Sequence, residues 1–232
     1  MIGKTIRILS RHFRRYQLHE ALRKNVAEHG FWFIDIPRTS STSIRTELGK
    51  NFGPLYGKEG ALDRNYRIKN GFASHVPAVH MREILGQPLW EDTFTFSLVR
   101  NPWDRLVSLH HYATAAGEFP RDLPFREFIL QFKSPRYILK PSVHDLPHYH
   151  YGACDYLEDE QGELLVKFVG RYENRVQDLA FIARQINFPG LGQLFTQQIS
   201  QRGHYSEYYD PETRDIVGCV YRDDIERFGY SF

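Results

Sequence analysis

The chain has 232 residues, of which 41% are hydrophobic, 15% aromatic and 25% charged, a composition typical of one folded domain and not of a disordered chain. Its formal net charge of +2 is too small to require a polyanionic partner, so we expect no nucleic-acid binding. The two cysteines suggest no disulfide framework, no apolar run is long enough to cross a bilayer, and the first residues lack the apolar core of a secretory signal. We therefore expect a cytoplasmic α/β protein whose basic site is local.

The first thirty residues are basic and loosely amphipathic. We interpret residues 1–30 as a basic helical extension that packs on the body of the protein, which would consist of residues 31–232. A helix lying on a membrane surface or binding an acceptor is the alternative, because basic amphipathic helices also bind anionic surfaces.

A buried strand is predicted at residues 31–36, which are aromatic or β-branched apart from Asp35. Pro37 ends this strand, and a helix is predicted from about Thr42 to Lys50. The intervening residues carry one cation and many hydroxyls; they are Arg38, Thr39, Ser40, Ser41, Thr42 and Ser43. Because the N–H groups at a helix start are unpaired and its dipole is positive there, this pattern is suited to a phosphate-like anion. A simple helix N-cap is the alternative, and the glycines of an ATP-type phosphate loop are missing.

Two histidines follow a segment rich in glycine and charge at residues 49–71, which is predicted to be a long irregular loop. His75 and His80 flank Pro77, and a helix is predicted from Ala78 to Leu85. Histidine is suited to proton transfer near neutral pH, although most histidines only satisfy a local hydrogen bond.

A second strand-to-helix unit is predicted from Thr93 to Ala116. Asn101 and Pro102 end the strand and begin the helix, so Arg100 lies at the carboxyl end of the strand and Ser108 about two helical turns further on. Since the carboxyl ends of parallel strands line one crevice, we expect Arg100 to share a cleft with Arg38. An arginine there can bind a phosphate through two N–H groups.

The second half of the chain gives weaker signals. A peripheral helix is predicted at Phe125 to Phe132, a strand at Leu164 to Gly170 and a core-covering helical tail from Pro211. The amphipathic helix predicted from Glu173 to Ile186 has an apolar face made of Val176, Leu179, Ala180, Ile182 and Ala183. His148, His150 and Cys154 lack a second paired motif, so we do not expect a zinc site.

The two loops together, PRTSSTS at residues 37–43 and RNPWDRLVS at residues 100–108, resemble the two cofactor signatures of sulfotransferases that use 3′-phosphoadenosine 5′-phosphosulfate (PAPS). The carbohydrate-type branch is the most similar. The likeness continues at residues 168–174, 208–210 and 224–230 and covers about residues 31–232. It implies a single sulfotransferase domain with a P-loop NTPase-like fold, in which helices flank a parallel sheet.

The resemblance also implies roles for individual residues. Residues 38–43 would bind the 5′-phosphosulfate, Arg100 and Ser108 would bind the 3′-phosphate, and Arg202 and Gly203 would lie in the segment that closes over the nucleotide. His75 is similar to the histidine that serves as the base in several carbohydrate sulfotransferases, and His80 is the alternative. No metal is expected. Lysine is usual at the position of Arg38; arginine keeps the cation that stabilises the leaving group but cannot donate a proton near neutral pH.

The expected reaction is therefore transfer of a sulfuryl group from PAPS to a hydroxyl of a carbohydrate, glycolipid or small metabolite. A nucleotide-dependent kinase with an atypical phosphate loop is one alternative, and a nucleotide-binding module without catalysis is another.

Overall fold

A parallel sheet of three strands, in the order β1-β2-β3, lies at the centre of the computed structural model, which describes residues 16–17, 19–53, 75–133, 151–194 and 203–232. The strands are β1 (Phe31–Phe33), β2 (Phe94–Val99) and β3 (Phe168–Arg171). Phe31 pairs with Phe94 and Phe96 pairs with Phe168. Because all three strands run in the same direction, the segments that follow them meet at one edge of the sheet.

The helices of the described residues surround this sheet. They are α1 (residues 19–29), α2 (Ser41–Phe52), α3 (Ala78–Leu85), α4 (Gln87–Asp92), α5 (Pro102–Ala115), α6 (Phe125–Leu130), α7 (Ala153–Leu157), α8 (Arg175–Gln185), α9 (Pro189–Gly192), α10 (Pro211–Val220) and α11 (Arg222–Phe228). Short 3₁₀ turns occur at Gln131–Lys133, Tyr172–Asn174 and Tyr205–Tyr208. None of the helices in these described ranges is long and apolar enough to span a membrane.

The core consists of apolar clusters on both faces of the sheet. Leu98 packs in a cluster with residues of α2 and α8, whereas its neighbour Val99 belongs to a cluster that includes α3 and α7. Adjacent residues of a strand face opposite sides, so the two clusters cover opposite faces. Leu22 and Val26 of α1 are buried in the Val99 cluster. A third cluster joins α5, α6 and α10.

Several predicted elements are confirmed, among them the helix Ala78–Leu85 and the strand-to-helix unit of β2 and α5. The first strand is shorter than predicted: residues 34–36 are buried but lie outside β1. The strand predicted from Leu164 begins only at Phe168. The inward position predicted for Val176 is wrong, because its side chain is 45% exposed. The helical tail divides into α10 and α11 at Tyr221.

Candidate functional site

The loop between β1 and α2 has an unusual backbone. Arg38 and Ser40 have φ angles of 68° and 75°, and Asn187 is the other non-glycine residue with positive φ in the described part of the chain. Thr39, between these two residues, does not have a positive φ, and α2 begins at Ser41. Such alternation of φ sign turns successive N–H groups towards one point and forms an anion-binding concavity. Left-handed backbone costs about 1–2 kcal/mol for a residue with a side chain, and strain of this kind is concentrated at functional sites.

Side chains hold the carbonyl groups of the same loop. Nε of Arg105 donates to the carbonyl oxygen of Pro37 at 3.1 Å, and Nη1 of Arg100 donates to that of Arg38 at 2.9 Å. The hydroxyl of Thr39 donates to the carbonyl oxygen of Ile36 at 2.9 Å. Three consecutive peptide planes are therefore fixed by hydrogen bonds to their oxygen atoms. This also fixes the directions of the N–H groups of Arg38 and Thr39, whereas Pro37 has no N–H group.

The loop after β2 is held by the later segments of the chain. The Asn101 side chain caps α5 by accepting the N–H of Trp103 at 3.0 Å, and its amide donates to the carbonyl oxygen of Ser231 at 2.9 Å. The main-chain N–H of Asn101 donates to Glu173 at 2.7 Å, and Glu173 also accepts the hydroxyl of Tyr230 at 3.2 Å. The motifs at residues 168–174 and 224–230 thus position the second loop.

Arg100 connects the two loops. Its Nε and Nη2 both lie 2.7 Å from Oδ2 of Asp104, one turn along α5, while Nη1 holds the carbonyl of Arg38. The guanidinium stacks on the ring of Tyr172 at 3.8 Å from its centroid. Only 4% of this side chain is exposed. Arg100 is therefore a buried, oriented cation at the edge where the strands end.

The side chain of Arg38 contacts the second loop from the other direction. Its Nε and Nη2 each lie 3.3 Å from Oγ of Ser108, and its guanidinium lies over the ring of Tyr112 at 4.4 Å from the centroid. The fold thus brings Arg38, Arg100 and Ser108 together at the edge where the strands end. It also pairs Ser108 with Arg38, a contact that was not anticipated.

His75 lies against Asp35, which follows β1 and precedes the Arg38 loop. Its Nδ1 is 3.0 Å from the main-chain oxygen of Asp35 and 3.1 Å from Oδ1, while Nη1 of Arg45 is 2.9 Å from Oδ2. Burial raises the pKa of the Asp35 carboxyl, but the interactions with His75 and Arg45 outweigh burial and hold that pKa below its ordinary value. Asp35 is accordingly ionised near neutral pH.

His80, the alternative base, lies on α3 with Nδ1 3.3 Å from a carboxylate oxygen of Glu83, whose side chain is 69% exposed. The structure therefore places His75 beside the first loop and pairs His80 with an exposed side chain on its own helix. The two histidines differ in the carboxylate that lies beside them, which is buried for His75 and exposed for His80.

The third predicted segment is described only in part. Arg202 lies outside the described residues, as do His148 and His150. Gly203 lies so close to the carboxylate of Glu207 that a Cβ atom at this position would collide with it. The hydroxyl of nearby Tyr205 lies 3.4 Å from the amide of Asn101, so this segment borders the second loop. In residues 16–17, 19–53, 75–133, 151–194 and 203–232, no cluster of histidine, cysteine and acidic side chains could hold a metal.

Sequence reasoning missed several residues of this site. Asp35 had a visible signal, since it is a carboxylate within an otherwise apolar segment. Asp104 follows Arg100 by four residues, the spacing of neighbours on a helix. Arg45, Tyr112 and Tyr172 had no such signal, because their contacts depend on how the elements pack.

Comparison with known proteins agrees with this geometry. The model of the Sulfotransferase family matches residues 26–231, and the chain therefore belongs to this family. Membership supports sulfuryl transfer as the general reaction. The chain is also similar to an uncharacterized protein of Archaeoglobus fulgidus, at 29% identity over 115 residues that cover 49% of this chain and 84% of that protein. No solved structure matches the chain significantly.

Proposed function

We propose that the protein transfers the sulfuryl group of PAPS to a hydroxyl group of a carbohydrate, glycolipid or small metabolite. The observation that carries the proposal is the meeting of the two loops. Arg38 contacts Ser108, and Arg100 holds the carbonyl of Arg38. The backbone of the first loop suits an anion, and Arg100 places a buried cation at the same edge of the sheet. Such a pair of sites suits a ligand with two phosphate groups. Family membership supports the reaction type.

In this proposal, residues 38–43 bind the 5′-phosphosulfate through main-chain N–H groups and hydroxyls. Arg100 and Ser108 bind the 3′-phosphate, and the segment of Arg202 and Gly203 closes over the nucleotide. The parallel sheet with a phosphate loop after β1 is the arrangement of a P-loop NTPase-like fold. Because Arg100 already holds Asp104 and the Arg38 carbonyl, its role in this proposal is that of a fixed positive charge beside the 3′-phosphate.

The reaction needs a base and a stabiliser for the leaving group. The acceptor hydroxyl attacks the sulfur atom, the bond from sulfur to the bridging oxygen breaks, and adenosine 3′,5′-bisphosphate leaves with the electron pair. His75 takes the hydroxyl proton, and the Arg38 cation offsets the charge that grows on the bridging oxygen. No metal is required by this scheme, because arginine and the helix start supply the positive charge.

Calorimetry with adenosine 3′,5′-bisphosphate tests the nucleotide half of the proposal. Arg100→Ala should weaken binding by about 1.5–3 kcal/mol, the value of a charged hydrogen bond. Arg121→Ala, at an exposed position outside the site, is the matched control and should bind like the wild type. A wild-type protein that binds ATP with magnesium but not the bisphosphate would be a kinase and would refute the proposal.

The contact of Arg38 with Ser108 makes the role of this arginine testable. If Arg38 contacts the 5′-phosphosulfate and stabilises the leaving group, Arg38→Ala should lower kcat and should weaken the bisphosphate and adenosine 5′-monophosphate alike, because both nucleotides carry the 5′-phosphate. If it binds the 3′-phosphate instead, Arg38→Ala should weaken the bisphosphate and leave binding of adenosine 5′-monophosphate unchanged, because that nucleotide lacks the 3′-phosphate. Ser108→Ala provides the reference result for loss of a 3′-phosphate contact.

The base is tested by histidine substitution. His75→Ala should reduce sulfuryl transfer by about 100-fold or more, the range of a general base, without weakening bisphosphate binding. His80→Ala is the paired measurement. A large loss of turnover in His80→Ala, with His75→Ala near the wild-type rate, would assign the base to His80.

The proposed assignment of the chain is a sulfotransferase domain at residues 31–232, preceded by a basic helical extension at residues 1–30, acting in the cytoplasm. The two cysteines, Cys154 and Cys219, form no disulfide in the described residues, and this supports a reducing compartment.

A further inference from the structure

The hydrogen-bond geometry of His75 determines which of its ring nitrogens carries the proton. Nδ1 lies 3.0 Å from the main-chain oxygen of Asp35 and 3.1 Å from its Oδ1. A carbonyl oxygen only accepts hydrogen bonds, and so does an ionised carboxylate. Nδ1 must therefore be the donor, and in the neutral imidazole the lone pair lies on Nε2.

The charge of Asp35 is maintained from its other side. Nη1 of Arg45 lies 2.9 Å from Oδ2, and the Asp35 side chain is 6% exposed. Asp35 also interacts with the buried phenol of Tyr156, whose pKa is raised by burial, lowered by Arg105 and raised by the negative charge of Asp35, with a net increase. The pKa of Asp35 itself is lowered despite its burial. The partners of the Asp35 carboxyl are thus the guanidinium of Arg45 and the ring of His75. The carboxyl remains ionised in this environment and can only accept hydrogen bonds.

We infer that Asp35 is the positioning residue of the base: it holds His75 in the tautomer with the proton on Nδ1 and so leaves Nε2 to accept the proton of the acceptor hydroxyl. The inference rests on the proposed function, in which His75 is that base. When the hydroxyl oxygen bonds to sulfur, its proton moves to Nε2, and His75 becomes an imidazolium. Asp35 stabilises this cation at Nδ1 and takes no proton itself.

The tautomer can be measured without any enzymatic activity. Long-range proton–nitrogen NMR spectra distinguish the two neutral tautomers, and the signals of His75 are those lost in His75→Gln. At the alkaline end of a pH series, where the spectra show a neutral imidazole, we expect the proton of His75 on Nδ1. A wild-type spectrum that shows the proton on Nε2 overturns the inference, whether or not the protein transfers sulfuryl groups.

Asp35→Asn distinguishes the effect of the carboxylate from that of the main-chain oxygen, because the substitution changes only the side chain. The asparagine amide can donate to Nδ1, so we expect the population with the proton on Nε2 to increase. If Asp35→Asn keeps the wild-type tautomer, the main-chain oxygen alone is sufficient and the positioning role is refuted. Arg45→Gln is the second variant: Asp35 still accepts from Nδ1, and the wild-type tautomer is expected.

Kinetics then connect the tautomer to the reaction. Asp35→Asn should lower kcat by about 100-fold or more while the dissociation constant of adenosine 3′,5′-bisphosphate stays within about twofold. Glu83→Gln, which alters the exposed partner of His80, should keep the wild-type kcat. A normal kcat in Asp35→Asn would refute the inference but leave the nucleotide site intact, whereas absent bisphosphate binding in the wild type would refute the proposed function alone.

Discussion

The left-handed backbone at Ser40 gives a prediction that does not depend on activity. Ser40 has φ 75° and ψ 8°, and its side chain makes no capping hydrogen bond to α2. Glycine removes the steric cost of this conformation, about 1–2 kcal/mol, but makes the unfolded chain more flexible, which costs about 0.4–1 kcal/mol. Ser40→Gly should therefore stabilise the protein by about 0.5–1 kcal/mol. Ser40→Ala removes the hydroxyl without relieving the backbone, so its stability should match the wild type within about 0.5 kcal/mol.

Urea unfolding followed by circular dichroism measures both variants. In a chain of this size, the stabilisation of Ser40→Gly should also raise Tm by about 1–4 °C. Asn187, with φ 51°, is a matched position outside the site, and Asn187→Gly should gain less because asparagine tolerates left-handed backbone better than serine does. If Ser40→Gly is no more stable than Ser40→Ala, the backbone at residue 40 is not left-handed in solution and the anion-binding concavity loses its basis.

Three further predictions concern the charged groups at the sheet edge. Arg105→Met leaves two main-chain carbonyls without their buried donor and should lower the free energy of unfolding by about 2–6 kcal/mol, whereas Arg121→Met should leave it unchanged in the same urea experiment. Because the folded pKa of Asp35 lies below its unfolded value of about 3.9, the stability difference between wild type and Asp35→Asn should be complete above that pH and shrink as the pH falls through the folded pKa, as measured by unfolding at a series of pH values. Asp104→Asn removes the anion paired with buried Arg100 and should weaken bisphosphate binding as well as stability; an affinity equal to the wild type in calorimetry would show that Asp104 does not orient Arg100.

The sequence predicted the features of the fold that depend on local pattern. Pro37 and Pro102 follow apolar strands and precede helices, so both strand-to-helix units were visible, and parallel strands placed their ends together. Features that depend on packing were not visible. Val176 fitted the apolar face of α8 by periodicity yet is 45% exposed, since the neighbouring elements cover only part of that face. Leu164 continued an apolar run but makes only an isolated antiparallel bridge to Glu158.

The sequence predicts several residues of the candidate site but not the hydrogen bonds and ion pairs that connect them. The strand-to-helix pattern predicts that Arg38 and Arg100 share one cleft, and the family resemblance implies the role of Ser108. The prediction does not include Asp35 and Asp104, the carboxylates that lie beside His75 and Arg100, although a buried cation or base needs such a partner to keep one orientation. Asp35 and Asp104 each have a sequence signal, but an acidic residue near a basic one is most often an exposed pair, so the signal alone does not assign them to the site.

The absence of glycine in the first loop has a structural explanation. In glycine-rich phosphate loops, glycine adopts positive φ without steric cost. Residues 37–43 contain no glycine, which is not typical of an ATP-type phosphate loop. Arg38 and Ser40 nevertheless adopt positive φ, at a combined cost of about 2–4 kcal/mol. The hydrogen bonds from Arg100 and Arg105 to the carbonyls of residues 38 and 37 contribute about 1.5–3 kcal/mol each, which is enough to offset that cost. The conformation of the first loop therefore depends on hydrogen bonds from the second loop and the start of α5, and not on glycine.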